Sequence, residues 1–374
     1  MIECKDFFKL LKKNNIDFYT GVPDSLLRNI CAYITDNTNK EEHVISSSEG
    51  SSVGLAIGYN LSTGKIPLVY MQNSGLGNII NPILSLADSD VYKIPILLLI
   101  GWRGEPGVKD EPQHVKQGKI TIDLLETMQI PYKVLPDNIV EAETCLDSLI
   151  LNAQNNSSVC ALIVKKDTFH SYKIKSNLTT IFEMNREKAI EIILSQLSSD
   201  DIVISTTGKA SREVFEYRKR NNQSHENDFL TVGGMGHANQ IALGIAIQKS
   251  NKRVFCLDGD GAALMHLGSL GIVGDLAPSN FIHILINNGA HDSVGGQPTI
   301  GFDVNFFKIA KNLNYKSSIK IKSQKDLRES LDNLNGIVGP HLIEVIVNKG
   351  ARENLGRPTI SPFENKINFM KKIK

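Results

Sequence analysis

The sequence predicts an α/β protein of two domains, each a mostly parallel sheet flanked by helices, with no middle domain. Three observations carry that expectation. Apolar strand-like runs alternate with helix-like stretches along the whole chain, the order that builds parallel sheets covered on both faces. At 374 residues the chain has room for two domains of ordinary size. A polar stretch with no clear period runs from Lys165 to about Thr180 and separates two such series. The domains are therefore set at 1–167 and 184–374, with a linker at 168–183.

The elements follow in order. The spacing of Phe8, Leu10 and Leu11 predicts a helix over 7–14. The run 16–20 leads into a Gly-Val-Pro-Asp turn at 21–24, and further strands are expected at 43–46, 66–71, 95–100 and 159–164. In the second half a helix is expected near 187–193. Strands are expected there at 202–205, 229–232, 254–257, 281–286 and 342–347.

Composition excludes several function classes. Hydrophobic content of 41% and charged content of 22% fit a soluble globular protein. A net charge of +1 gives no electrostatic case for nucleic acid or a membrane surface. The five cysteines are scattered without CxxC spacing, so reduced thiols and a cytoplasmic setting are expected. The first eight residues carry charges where a signal peptide needs an apolar core. The longest apolar runs, such as 94–100, are too short to span a bilayer.

Two constellations point to chemistry. In the second half a strand ends at Gly259-Asp260-Gly261, a helical stretch follows through Gly271, and the next strand ends at Asn287-Asn288. That is a βαβ unit with a carboxylate on one turn and a carboxamide on the next, at the sheet edge where ligands of α/β proteins bind. Glycines beside Asp260 let backbone approach a diphosphate, and the helix start suits an anion. Hard oxygen ligands with a diphosphate describe a magnesium site. In the first half, residues 46–59 end a strand, present Glu49, and begin a helix rich in Gly, Ala and Ser. Neighbouring serines can cap that helix, and its small residues predict close packing on a neighbour.

Asp260 and Asn288 are 28 positions apart, and this pairing resembles the cofactor motif of thiamine diphosphate enzymes. The resemblance implies that Asp260, Asn288 and the main-chain oxygen of Ala290 hold Mg2+, with Gly259 and Gly261 beside the diphosphate. The pattern Glu-x-x-x-x-Gly-x-Ala-x-Gly-Tyr from Glu49 resembles the glutamate segment of the pyrimidine-binding domain of that family. By that likeness Glu49 hydrogen-bonds N1′ of the aminopyrimidine and promotes its imino form. Met235, set among Gly233, Gly234 and Gly236, matches the bulky residue that bends the cofactor. The first domain is then the pyrimidine-binding one and the second the diphosphate-binding one. The cofactor of such enzymes lies between domains of different subunits, which implies a homodimer or higher homo-oligomer.

The compact layout resembles the phosphonopyruvate and sulfopyruvate decarboxylases of that family. Four segments carry this likeness: 21–27, 101–114, 205–213 and 291–299. The Thr-Thr-Gly-Lys-x-Ser-Arg-Glu and His-Asp-Ser-x-Gly-Gly-Gln runs look most like the phosphonopyruvate enzymes. The implied activity is loss of CO2 from a 2-oxo acid to give phosphonoacetaldehyde, in the synthesis of 2-aminoethylphosphonate. A trianionic substrate calls for cations and main-chain donors. Arg103 and His114 are favoured as substrate ligands over Lys109, Lys209 and Arg212. The alternative to a substrate role for Arg212 is a pair with Glu213 or Glu216. Asp24 is odd at an anion site, and orients a cation or moves a proton. With Glu49, Asp24 and His114 form the catalytic set. His114, Asp24, His291 and Asp292 are the candidate proton donors.

Rival readings are a sulfopyruvate decarboxylase and another thiamine diphosphate-dependent decarboxylase or carboligase. A nicotinamide-dependent dehydrogenase would want Gly-x-Gly-x-x-Gly after the first strand, and Val22-Pro23-Asp24 breaks it. A non-catalytic binding subunit would have no need of Glu49 and Asp260.

Overall fold

Strand after strand in this chain is apolar on both faces, and that pattern sets the architecture of the computed structural model, which describes residues 1–175, 180–334 and 336–374. The chain divides into two units, Met1–Leu178 and Thr179–Lys374. Of the linker expected at 168–183, residues 176–179 lie outside the described residues. Its first part is not loose, since Phe169 packs in the first unit's core and Ile2 bridges to it.

The first unit holds β1 (Tyr19–Gly21), β2 (His43–Ile45), β3 (Leu68–Gln72), β4 (Leu97–Gly101), β5 (Tyr132–Val134) and β6 (Cys160–Val164). They form one sheet in the order β2-β1-β3-β4-β6-β5, parallel at every pairing. Period-2 alternation divides its core. Leu68, Tyr70, Leu97 and Leu99 face one side, while Val69, Met71, Leu98 and Ile100 face the other.

The second unit holds β7 (Ile202–Ser205), β8 (Asp228–Leu230), β9 (Val254–Gly259), β10 (Phe281–Asn287), β11 (Ser317–Ile321) and β12 (His341–Ile346). The order is β11-β12-β10-β9-β7-β8, again all parallel. Ile282, Ile284 and Ile286 of β10 pack on one face with Phe255, Leu257, Ile343 and Val345.

Two strands, β5 and β11, escape the sequence reading. Both are edge strands, and their exposed, short or serine-rich runs lack the apolar signal of the central strands. The helical stretch after Asp260 is two short helices, Asp260–Met265 and Ser269–Leu276, broken around His266 to Gly268. The glycine-rich helix Glu49–Thr63 also departs from expectation. Gly50 faces the Asn78 carbonyl closely, but among the described residues nothing lies within 4 Å of a Cβ at Gly54 or Gly58, and Leu55 and Leu61 are 41% and 71% exposed. All five cysteines are free and buried. Among the described residues no helix is long and apolar enough to cross a membrane.

Candidate active site

In the first unit the loops that follow β1, β2, β3 and β4 carry the candidate groups. Glu49 is the first residue of its helix, because Ser48 caps that end by accepting from the Ser51 amide at 3.3 Å. Its carboxylate is buried and turns to Asn78, whose Nδ2 donates to Oε2 at 2.8 Å. Gly75 makes room for it: a Cβ there would lie 2.7 Å from Glu49 Cγ and Oε1.

Asp24, Arg103 and His114 are brought together. Asp24 is fully buried, with Oδ2 accepting from the Leu26 amide at 2.8 Å and Oδ1 from Gln72 Nε2 at 2.7 Å. Burial pushes its carboxyl above the usual range, opposed by Gln72, the Leu26 and Leu27 amides and the Arg103 charge. Gly101 permits the approach, since any side chain there would overlap Asp24 Oδ2. Arg103 is not a free cation. It forks onto Asp110, with Nε to Oδ2 at 2.7 Å and Nη2 to Oδ1, and Nη1 donates to Ser25 Oγ at 2.7 Å. Asp110 therefore takes part of the charge that Arg103 was expected to offer a substrate. Asp110 holds the Arg103 guanidinium in place, and its remaining field acts on Asp24 and His114. His114 is 8% exposed, and its Nδ1 is buried with no partner among the described residues. Burial and the Arg103 charge push its imidazole down to about 4, so it is neutral at pH 7. Lys109 is exposed, as its acidic neighbours would suggest.

The second unit places its groups at the carboxyl ends of the adjacent strands β9 and β10. Asp260 is 2% exposed and forms no ion pair among the described residues. Burial pushes its carboxyl up to about 6, opposed by the Thr299 hydroxyl and by amides of Asn288, Asp260 and Gly261. Thr299 Oγ1 donates to Asp260 Oδ2, and Gly301 leaves the room that carboxylate needs. Gly259 faces open space, whereas Gly261 packs near Met235 and His291. Met235 is half-buried between Gly234 and Gly236, whose φ angles of 64° and 86° favour glycine.

The two asparagines divide their work. Asn287 is fully buried, and its Nδ2 donates to the Gly301 carbonyl at 2.7 Å and to Glu344 Oε1 at 3.0 Å. It braces the loop. Asn288 Nδ2 donates to Asp292 Oδ2 at 2.7 Å, while Oδ1 faces the Ala290 amide at 3.2 Å. Ala290 is buried, in a bridge to Pro298. Asp260 and Asn288 thus carry hard oxygen atoms at a buried carboxylate that has no ion pair among the described residues. That donor set fits a small divalent cation.

Other expectations are corrected. Arg212 pairs with neither Glu213 nor Glu216, because Arg186 forks onto Glu213 and Arg352 takes Glu216. Asp292, a candidate proton donor, is tied into a network instead of standing free: Oδ2 accepts from Arg186 Nη1 at 2.9 Å, from Asn288 and from the Gly350 amide. Burial pushes His291 down to about 4, so it too is neutral at pH 7. Burial also lowers Lys209, which sits where the loop after β7 meets Ser293. The residues that sequence reasoning missed are Gln72, Gly75, Asn78, Asp110, Arg186 and Thr299. Each but Asp110 acts on a predicted residue from a distant part of the chain; Asp110 lies seven residues from Arg103, in the segment 101–114, where its part in the Arg103 fork has no signal in the sequence.

Comparison with known proteins accounts for both halves. Residues 4–126 match the model of the thiamine pyrophosphate enzyme N-terminal TPP binding domain, and residues 206–345 match that of the C-terminal TPP binding domain. A phosphonopyruvate decarboxylase of Streptomyces viridochromogenes is 31% identical, over 97% of this chain and 93% of that protein. A second, from Streptomyces hygroscopicus, is 32% identical over 97% and 92%. A sulfopyruvate decarboxylase of Methanosarcina acetivorans is 27% identical over 94% and 92%. This chain belongs to the thiamine pyrophosphate enzyme family, in the branch that holds the phosphonopyruvate and sulfopyruvate decarboxylases.

Proposed function

We propose that the chain removes CO2 from phosphonopyruvate to give phosphonoacetaldehyde, with thiamine diphosphate and Mg2+. The observation that carries the reading is Asp260, a buried carboxylate beside Asn288 with no countercharge among the described residues. The choice of substrate rests on the relatives, whose likeness to phosphonopyruvate decarboxylases runs nearly end to end.

Asp260, Asn288 and the Ala290 carbonyl would hold Mg2+, with Gly259 and Gly261 admitting the diphosphate and Met235 supporting its bend. Thiamine diphosphate supplies the nucleophilic carbon and takes up the electron pair when the C–C bond breaks. Glu49, its carboxylate positioned by Asn78 and Gly75, would face the aminopyrimidine and exchange a hydrogen bond with its ring nitrogen. Substrate would meet Asp24, Arg103 and His114. A proton must then reach the carbon that lost CO2. Asp24 suits that transfer best, because burial already raises its carboxyl and an anionic substrate would raise it further. His114 offers a neutral ring whose unpartnered Nδ1 can bond a substrate oxygen. We further propose a homodimer or higher homo-oligomer in the cytoplasm.

The test is incubation with thiamine diphosphate, Mg2+ and either phosphonopyruvate or sulfopyruvate, measuring CO2 and aldehyde. Phosphonoacetaldehyde formed in preference, and lost on chelation of Mg2+, is the expected result. Preference for sulfopyruvate would move the chain to the sulfonate reading, which the 27% relative favours. Product that needs an added aldehyde would make it a carboligase.

A further inference from the structure

Asn288 is a useful metal ligand only in one of two nearly isosteric poses. Its carboxamide presents oxygen on one edge and an NH2 on the other, and rotation by half a turn would aim the NH2 at a cation. Sequence position cannot choose between them, and the structure holds a device that does. Asn288 Nδ2 donates to Asp292 Oδ2 at 2.7 Å, and a carboxylate only accepts, so the amide nitrogen is drawn to that side. The oxygen is left on the opposite edge.

Asp292 is itself held. Arg186 Nη1 donates to the same Oδ2 at 2.9 Å, and the Gly350 amide donates to it at 2.9 Å. Arg186 is fixed in turn by a fork on Glu213, with Nε to Oε2 at 2.8 Å and Nη2 to Oε1 at 2.9 Å. Side chains of Arg186, Asp292 and Glu213 are 9%, 8% and 1% exposed. A buried run of charge-assisted hydrogen bonds therefore leads from the helix Lys209–Arg220, through the first residue of the helix Arg186–Ser195, to the metal-ligand loop.

We propose that Asp292, held by Arg186, is a positioning residue that sets the carboxamide of Asn288 with its oxygen toward the cation. The proposal rests on the reading of Asp260 and Asn288 as metal ligands. It replaces the expectation that Asp292 gives a proton to product. Groups that orient a ligand from behind commonly change metal affinity 10- to 100-fold when removed.

The experiment measures Mn2+ binding by electron paramagnetic resonance, with thiamine diphosphate present, on the full-length protein. Wild type, Asp260→Ala, Asp292→Ala and Asp292→Asn are compared, with melting temperatures as a check on folding. Asp292→Asn keeps an oxygen acceptor and removes the charge. The expected result is loss of Mn2+ binding in Asp260→Ala, about 10- to 100-fold weaker binding in Asp292→Ala, and near-normal binding in Asp292→Asn. Turnover of Asp292→Ala should recover at saturating metal. Asp292→Ser, too short to reach the amide, replaces Asp292→Ala if that variant does not fold. Unchanged affinity in Asp292→Ala, with Asp260→Ala dead to metal, overturns this inference alone. Equal losses in Asp292→Ala and Asp292→Asn overturn it too, by showing that charge and not orientation matters. A turnover defect that saturating metal does not relieve returns Asp292 to the role of proton donor. Failure of wild type to bind Mn2+ overturns the metal reading and this inference together.

Discussion

Gly75 shows how a residue with no side chain can govern one that reacts. A methyl group at 75 would stand 2.7 Å from Glu49 Cγ and Oε1, well inside contact distance, and it meets a side chain that can swing aside. The fold should therefore survive Gly75→Ala while the carboxyl is displaced. Misplacing a reacting group by about 1 Å can cost on the order of 100-fold in rate. The expected outcome is a loss of that order in kcat, with a melting temperature close to wild type. A fully active variant would show that Glu49 does not work from this position. His43 makes a different kind of prediction. It is buried, bonded to the Tyr70 hydroxyl at 2.8 Å, and pushed by burial down to about 4. The unfolded chain thus binds this proton more tightly than the folded one. Stability from His43 is full above the ordinary value near 6.5 and is lost as pH falls toward 4. Wild type should lose roughly 2 kcal/mol more than His43→Gln between pH 7.5 and pH 5, read by urea unfolding. Equal losses would mean that the imidazole is solvated. At this scale Glu49, Asp260 and Asn288 are legible in the sequence because each follows a strand with a fixed neighbour pattern. Gly75, Asn78 and Asp292's partner Arg186 are not, because their roles exist only after folding brings distant segments together.

At the scale of elements, the edge of the second sheet depends on one buried pair. Arg218, on the helix Lys209–Arg220, forks onto Asp228 at the start of β8 with both bonds at 3.0 Å. Asp228 is fully buried, and burial raises its carboxyl to about 6 against the pull of Arg218. The helix Pro362–Ile373 secures the same strand, with Asn365 donating to the Asp228 carbonyl at 2.8 Å. Covering β8 in this way protects an unpaired edge. Arg218→Met leaves the Asp228 charge uncompensated, and the expected cost is about 3–5 kcal/mol in unfolding free energy. Adding Asp228→Asn should return part of it, and a double variant no better than the single one would count against an ionic tie. The central strands were readable because they are apolar on both faces. Strands β5 and β11 were not, since their short, exposed or serine-rich runs carry no such signal. The glycines of the helix Glu49–Thr63 were read as a close-packing face, yet Gly54 and Gly58 meet nothing within 4 Å among the described residues. Composition announces that a surface is small and smooth, and says nothing of what covers it.

For the whole molecule the two sets of site residues fall in different units, Glu49 in the first and Asp260 with Asn288 in the second. If one cofactor meets both sets, as the proposed function has it, nothing requires that one chain supply both. The exposed stripe of Gly54, Leu55, Gly58 and Leu61 runs along the helix that Glu49 begins, and apolar surface of this sort is what partner chains cover. If each site takes its carboxyl from one chain and its metal ligands from another, Glu49→Ala and Asp260→Ala are complementary defects. Each variant alone should be inactive. After mixing, unfolding and refolding together, random pairing makes about half of the dimers mixed, and each mixed dimer carries one intact site and one doubly broken one. Activity should then return to at most roughly a quarter of wild type by this symmetry argument. Mixing without unfolding should give less, at a rate set by exchange of chains. If instead one chain builds its own site, no pairing can repair either defect and activity stays at the level of the single variants. Refolded wild type, handled in parallel, fixes the scale, so that poor recovery of protein is not mistaken for a failure to complement.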